Sequence, residues 1–96
     1  MAGKNMAVLS ARLSFHILHA SSLKDKRQVC RSLIQKTRHR FNVSISEVDT
    51  HDMHQILTIG IAVVSTDYDH GNRSMDEIIR YMEAQANGDL IEVNMQ

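Results

Sequence analysis

A run of basic side chains lies within residues 21–40, where the spacing of apolar residues also predicts a helix. Lys24, Lys26 and Arg27 fall in the first turns of that helix. The unpaired backbone N–H groups at a helix start already carry partial positive charge, so cations are unfavourable there. Either an anion such as phosphate binds at this end, or acidic side chains elsewhere in the fold neutralise it.

The phosphate hypothesis extends along the whole helix. Backbone N–H groups and the hydroxyl group of Ser22 could hold an anion at the helix start. Arg31 and Arg38 continue the positive charge, because residues three or four apart lie on the same side of a helix. The predicted phosphate or RNA contacts are Ser22, Lys24, Lys26, Arg27, Arg31 and Arg38. A nucleic-acid backbone requires a track of cations of this kind.

The alternative is an internal contact between these cations and acidic side chains. The candidate partners are Glu47, Asp49 and Asp52, which lie in and just after the second predicted strand. The distribution of charge permits both interpretations. Residues 1–43 hold nine lysines and arginines against one acid, a net charge of +8, and residues 44–96 hold two against ten, a net charge of −8. Such asymmetry is typical of an anionic partner or of pairing between oppositely charged faces.

The periodicity of apolar residues predicts the elements that must position these groups. The predicted elements are strand 7–17, helix 23–40, strand 43–49, strand 55–65, a second helix ending near residue 86, and strand 90–95. Val48 interrupts the alternation of the second strand, which suggests a bulge. The second helix has two candidate caps, Asp67 and Ser74, so the sequence leaves its start open.

The order β-α-β-β-α-β predicts an α+β, ferredoxin-like fold, an alpha-beta sandwich in which one four-stranded antiparallel sheet carries both helices on one face. We expect one domain over residues 1–96, with residues 1–5 as a flexible tail. The first and third strands should be central. The start of helix one and the loop between strands two and three then lie at the same end, which brings the basic and acidic candidates together.

Several functional classes are disfavoured. No apolar run is long enough to span a membrane, and the first residues lack the apolar core of a signal peptide, so we expect a cytoplasmic protein. A single cysteine, Cys30, excludes an internal disulfide. No P-loop, GxGxxG or Ser/His/Asp pattern is present. The sequence therefore predicts a protein that is not an enzyme and has no cofactor.

Two further hypotheses remain open. The turn that contains Asp49, His51, Asp52 and His54 could hold a metal ion and serve a metal-dependent enzyme, although a metal site requires three or four convergent ligands. The open face of the sheet carries small and apolar side chains, with no aromatic ring beyond that of His16. Such a face is poorly suited to base stacking and suggests a homodimer.

The sequence also resembles a known family. The matching blocks are Ser22-Leu23-Lys24-Asp25-Lys26-Arg27, Arg40-Phe41-Asn42-Val43-Ser44, Glu47-Val48-Asp49 with Asp52 and Gln55, and Gly60 with Ala62-Val63-Val64-Ser65. Together they resemble the YlxP-like family of small bacterial proteins, which has no assigned biochemical function. Residues 67–74, His51 and His54 depart from its pattern.

The resemblance implies a ferredoxin-like fold. Genes of the family often lie beside those of translation initiation factor 2 and ribosome-binding factor A, which implies a part in ribosome maturation. We therefore expect a non-enzymatic accessory factor that binds RNA or the small ribosomal subunit through the basic start of helix one. The alternative from the same residues is a homo-oligomeric regulatory module that binds a small anionic metabolite.

Overall fold

A computed structural model describes residues 6–96 as a four-stranded antiparallel sheet with two helices on one face. The elements are β1 (Ala7–His16), α1 (Leu23–Arg40), β2 (Ser44–Glu47), β3 (Ile56–Ser65), α2 (Tyr68–Gln85) and β4 (Asp89–Met95). The strand order is β2-β3-β1-β4. These observations confirm the predicted ferredoxin-like fold. The predicted tail over residues 1–5 lies outside the described residues.

The two central strands provide most of the core. β1 and β3 pair without a register shift from Ala7 opposite Ser65 to His16 opposite Ile56. Alternate residues of β1 point toward the helices, and the side chains of Leu13 and Phe15 there are completely buried. Because a strand places successive side chains on opposite faces, this burial follows directly from the alternation in the sequence.

Side-chain caps fix where both helices begin. The Ser22 hydroxyl accepts a hydrogen bond from Asp25 N at the start of α1, and an Asp67 carboxylate oxygen accepts one from His70 N at the start of α2. Of the two candidate caps for the second helix, Asp67 is therefore the one used. Close packing of α2 on β1 depends on Gly71, where a Cβ atom would collide with the side chain of Leu9.

β2 is shorter than predicted, and the bulge expected at Val48 is absent. The strand pairs with β3 in continuous register and ends at Glu47. Val48 N still donates to Thr58 O at 2.9 Å, and its side chain lies over Gly60 on the open face. The chain then turns at Asp49, whose φ is 65°. The strand therefore keeps its alternation, and an acidic side chain, Glu47, occupies an inward position.

Candidate functional site

Lys26 explains the inward position of Glu47. Its side chain is completely buried, and its Nζ atom lies 2.9 Å from Glu47 Oε2, an ionic contact whose geometry is poor for a hydrogen bond. The same ammonium group donates to the carbonyl oxygens of Thr50 and Ile56, the latter at 3.3 Å. A buried charge is tolerated only when it is paired and hydrogen-bonded, and three oxygens satisfy this one. We call this group of four residues the Lys26 clasp.

The clasp connects the start of α1 to the end of β2 and to the loop that leads into β3. The Lys26 ammonium group is therefore surrounded by oxygens of the protein itself and is not accessible to an external anion. Lys26 does not belong to the surface that could contact phosphate. Of the three candidate acidic partners, Glu47 is the one that neutralises it. This arrangement provides part of the negative charge that a basic helix start requires.

A second carboxylate lies at the start of α1 itself. Asp25 Oδ2 accepts hydrogen bonds from Ser21 N at 3.0 Å and from the Ser21 hydroxyl at 2.8 Å. Hydrogen bonds from the Ser21 hydroxyl and backbone N–H lower the pKa of the Asp25 carboxyl group. Because Ser22 is engaged as the cap, the helix start already has an internal anion and a side-chain acceptor. Of the remaining cations, Lys24 lies in this first turn, and Arg27, Arg31 and Arg38 lie farther along α1.

The candidate metal ligands in the turn after β2 do not lie together. Asp49 Oδ2 accepts a hydrogen bond from Arg12 Nη1 at 2.7 Å across the open face, and both side chains are about half exposed. His51, Asp52 and His54 lie exposed in the loop. Over residues 6–96, no three His, Cys, Asp or Glu side chains converge in a way that could hold a metal ion. The structure does not assemble the turn into a metal centre.

The arginine flank, defined as Lys24, Arg27, Arg31 and Arg38, is the basic surface that remains. Arg27, Arg31 and Arg38 line a shallow cleft of about 320 Å³ between α1 and β2, with Cys30 and Ile34 among its other lining residues. All four basic side chains are exposed. At 1.5 Å per residue, the four cations span about 21 Å along the helix. The flank therefore offers a linear series of positive charges.

One member of the flank also serves the fold. Arg38 Nη2 donates to Ile45 O at 3.3 Å, on the outer side of β2. Lys24, Arg27 and Arg31 form no ion pair in the described part of the chain. Their guanidinium and ammonium groups are therefore available to an external anion.

Cys30, in the same cleft, is chemically quiet. Its Sγ atom lies 3.9 Å from Glu47 Oε1. Burial, together with the negative charge of Glu47, raises the pKa of the Cys30 thiol to about 11. Because the thiolate is the nucleophilic form, this cysteine does not provide a reactive group at neutral pH.

A second basic surface escaped the sequence analysis. The guanidinium group of Arg40 lies 5.5 Å from the ring centre of Phe41 and 5.2 Å from that of Tyr81, and the two rings meet edge to face at 5.4 Å. Arg40 and Tyr81 line a second shallow cleft, which Lys36 and His39 also border. The neighbouring Arg40 and Phe41 were visible in the sequence, but the contribution of α2 through Tyr81 requires the packing of the two helices.

Comparisons with known proteins agree with this description. A family model described as "Protein of unknown function (DUF503)" matches residues 8–95. The uncharacterized protein YlxP of Bacillus subtilis (strain 168) is 32% identical over 68 residues, which cover 71% of this chain and 74% of that protein.

Among solved structures, the de novo designed protein Foldit4 has a TM-score of 0.50 at 14% identity, covering 96% of this chain and 97% of the design. The design Ferredog-Diesel has a TM-score of 0.45 at 9% identity, covering 100% of this chain and 89% of the design. Foldit4 supports the fold alone. Neither helix within residues 6–96 is both long and apolar enough to cross a membrane.

Proposed function

Since the chain belongs to the DUF503 family of proteins of unknown function, we propose that it acts as a non-enzymatic accessory protein that binds RNA through its arginine flank. The observation that carries the proposal is the row of exposed cations on α1, of which Lys24, Arg27 and Arg31 have no acidic partner in the described residues. Phosphate groups of an RNA backbone neutralise such a row and release counterions as they bind.

The proposal differs from the sequence hypothesis in its contact residues. Lys26 is excluded because the clasp encloses it, whereas Ser22 forms the helix cap, in which its hydroxyl oxygen accepts a hydrogen bond from Asp25 N. The flank is linear and lies beside a sheet edge, so it suits the backbone of a nucleic acid better than a compact ligand. The small ribosomal subunit is the RNA-containing partner that we propose, in keeping with the gene neighbourhood that the family resemblance implies.

Binding to purified small ribosomal subunits at two salt concentrations tests this function. We expect affinity to fall as salt rises, and each phosphate contact removed should reduce the slope of log affinity against log salt by about 0.7 for single-stranded RNA. The test variant is Lys24→Glu with Arg27→Glu. Both side chains are exposed and outside the Lys26 clasp, so this variant should remain folded.

The matched control is Arg73→Glu with Arg80→Glu, which makes the same change in charge on the exposed surface of α2. Equal loss of binding in both variants would show a general charge effect and contradict a site on the flank. Affinity that does not depend on salt would contradict phosphate contact. Thermal stabilisation by an anionic metabolite, without any RNA binding, would favour the regulatory module instead.

The homodimer through the open sheet face stays a prediction. That face carries the Arg12–Asp49 pair and the side chain of Val48 over Gly60. Its most exposed apolar groups are Val8 and Val64, which lie directly opposite each other on β1 and β3. Sedimentation of the wild type and of Val64→Lys over a range of concentrations would check it.

A further inference from the structure

β4 forms one edge of the sheet, and no strand of residues 6–96 lies beyond it. The orientation of its backbone follows from one hydrogen bond, in which Gln96 N donates to Ser10 O at 2.9 Å. In an antiparallel pair, hydrogen-bonded and non-hydrogen-bonded residues alternate. Asn94 therefore points its N–H and C=O groups at β1, opposite Arg12, whereas Val93 and Met95 point theirs outward.

The same edge exposes apolar side chains. Ile91, Val93 and Met95 retain 54%, 44% and 48% of their surface, respectively, which is unusual for three apolar residues of one strand. Val93 and Met95 lie opposite Leu13 and Ala11, so they share the helix-covered side of the sheet. The helices do not extend over this part of β4. The register of β4 against β1 shifts between Ser14 and Phe15, so the regular part of this edge is residues 92–95. An edge with exposed apolar side chains and free backbone groups is a template for another strand.

Acidic side chains surround the edge. Asp89 and Glu92 belong to β4 itself, and Glu83 lines a shallow cleft together with Asp89. Asp76 lies seven residues before Glu83 and therefore on the same side of α2. Tyr81, on the other side of α2, contacts Phe41 at the end of α1. Asp76 and Glu83 thus lie on the side of α2 away from α1, and Glu83 faces Asp89 of β4.

We propose that the β4 edge binds an extended segment of a partner protein in which basic and apolar residues alternate. The segment adds a fifth strand by pairing with the outward backbone groups of Val93 and Met95. Its apolar side chains contact those of Val93 and Met95 on the helix side. Its basic side chains alternate with the apolar ones and therefore point to the opposite, open side of the sheet, near Glu92.

Charge decides between this occupant and a second copy of the chain. Pairing of β4 with β4 of another molecule would bring two sets of acids together, and like charges across strands are destabilising. A basic segment has the opposite charge and encounters no such repulsion. The proposal does not depend on the proposed RNA function, because β4 and the arginine flank lie at opposite edges of the sheet.

A short blocked peptide of alternating lysine and valine is the probe, and NMR of the backbone amides is the measurement. We expect the amide signals of Val93 and Met95 to shift in a saturable manner, while those of Arg27 and Arg31 stay in place. A control peptide of the same composition, with its lysines and valines in two blocks, has the same charge but lacks the alternation. It should bind at least about tenfold more weakly.

Val93→Pro is the sharpest variant, because it removes an outward N–H group without removing a hydrogen bond to β1. It should reduce the affinity for the alternating peptide about tenfold, whereas Val93→Thr keeps the N–H group and should stay within about threefold of wild type. Thermal unfolding confirms that both variants remain folded.

Four results would overturn the proposal. The first is failure of the wild type to bind the alternating peptide. The second is equal binding of the alternating and block peptides, and the third is unchanged binding by folded Val93→Pro, since either would show that charge alone accounts for the binding. The fourth is concentration-dependent change of the Val93 and Met95 signals without peptide, which would show that a second copy occupies the edge.

Discussion

The two edge strands of the sheet, β2 and β4, differ in how far their outward backbone groups are protected from pairing with another chain. Every edge strand has backbone groups that point away from the sheet and can pair with another chain. β2 has four residues, a basic helix beside it, and one outward carbonyl, that of Ile45, occupied by Arg38. β4 has seven residues, acids around it, and outward groups at Val93 and Met95 without a partner in the described chain.

The difference shows how a charged group can close an edge. Glu47, at the end of β2, points inward because Lys26 neutralises it below the sheet. This contact fixes the end of the strand and the loop that follows. β4 has no comparable clasp, and its side chains are mostly exposed along its length. The first edge is therefore stabilised from within, whereas the second edge leaves its backbone available to a partner.

The largest expected effect is loss of the clasp. Lys26→Met should destabilise the protein by about 3 kcal/mol, because it leaves the Glu47 carboxylate without its counter-ion and the Ile56 carbonyl without a donor, whereas Thr50 O keeps its hydrogen bond from Met53 N. Urea unfolding gives the free energy. Lys24→Met, an exposed neighbour on α1, is the matched control and should change stability by less than about 0.5 kcal/mol. Similar values for the two variants would mean that the β2 edge does not depend on the clasp.

The next effect concerns Cys30, which lies beside the clasp. The pKa of the Cys30 thiol is raised to about 11, so little thiolate is present at pH 8. We therefore expect Cys30 of the folded protein to react with iodoacetamide at pH 8 about 100-fold more slowly than Cys30 of the unfolded chain. Glu47→Gln should accelerate the reaction, since the carboxylate contributes to the raised pKa. Labelling of folded and urea-unfolded protein, followed by mass spectrometry, measures both rates. Equal rates would contradict the closed environment of this edge.

Proline substitutions should distinguish inward from outward groups on β4. Asn94→Pro removes an N–H group that points at β1 and should cost about 2 kcal/mol. Val93→Pro removes an outward group, and its cost should stay below about 1 kcal/mol, because the ladder is preserved. Thermal unfolding of the two variants gives the comparison. If Val93→Pro were the more destabilising, the assignment of outward groups would be wrong.

The smallest effect is expected on the open face. Asp49→Asn removes the ion pair with Arg12, whose side chain is 44% exposed, but asparagine tolerates the positive φ at this position. The change in unfolding free energy should be below about 0.5 kcal/mol and should diminish as salt increases. A loss above about 1 kcal/mol would show that this exposed pair stabilises the turn after β2 more than an ordinary surface ion pair does.

The sequence by itself determined the order of the elements, the central position of β1 and β3, and the full extent of α1. These features depend on local periodicity and on caps such as Ser22, which need no distant partner. The sequence also indicated that a basic helix start needs negative charge, and it named Glu47 among the acids that could provide it.

Only the tertiary structure decided which cations serve the fold and which remain on the surface. Lys24, Lys26 and Arg27 look equivalent in the sequence, yet Lys26 is completely buried, whereas the other two are exposed. Lys26 lies on the side of α1 that faces the sheet. There its ammonium group contacts the Glu47 carboxylate and donates to the carbonyl oxygens of Thr50 and Ile56. The apparent break at Val48 has the same origin, because a buried lysine allows an acidic residue to point inward. The burial of Lys26 and the inward position of Glu47 depend on contacts between residues 21 to 30 positions apart in the chain. Local sequence patterns do not predict such contacts.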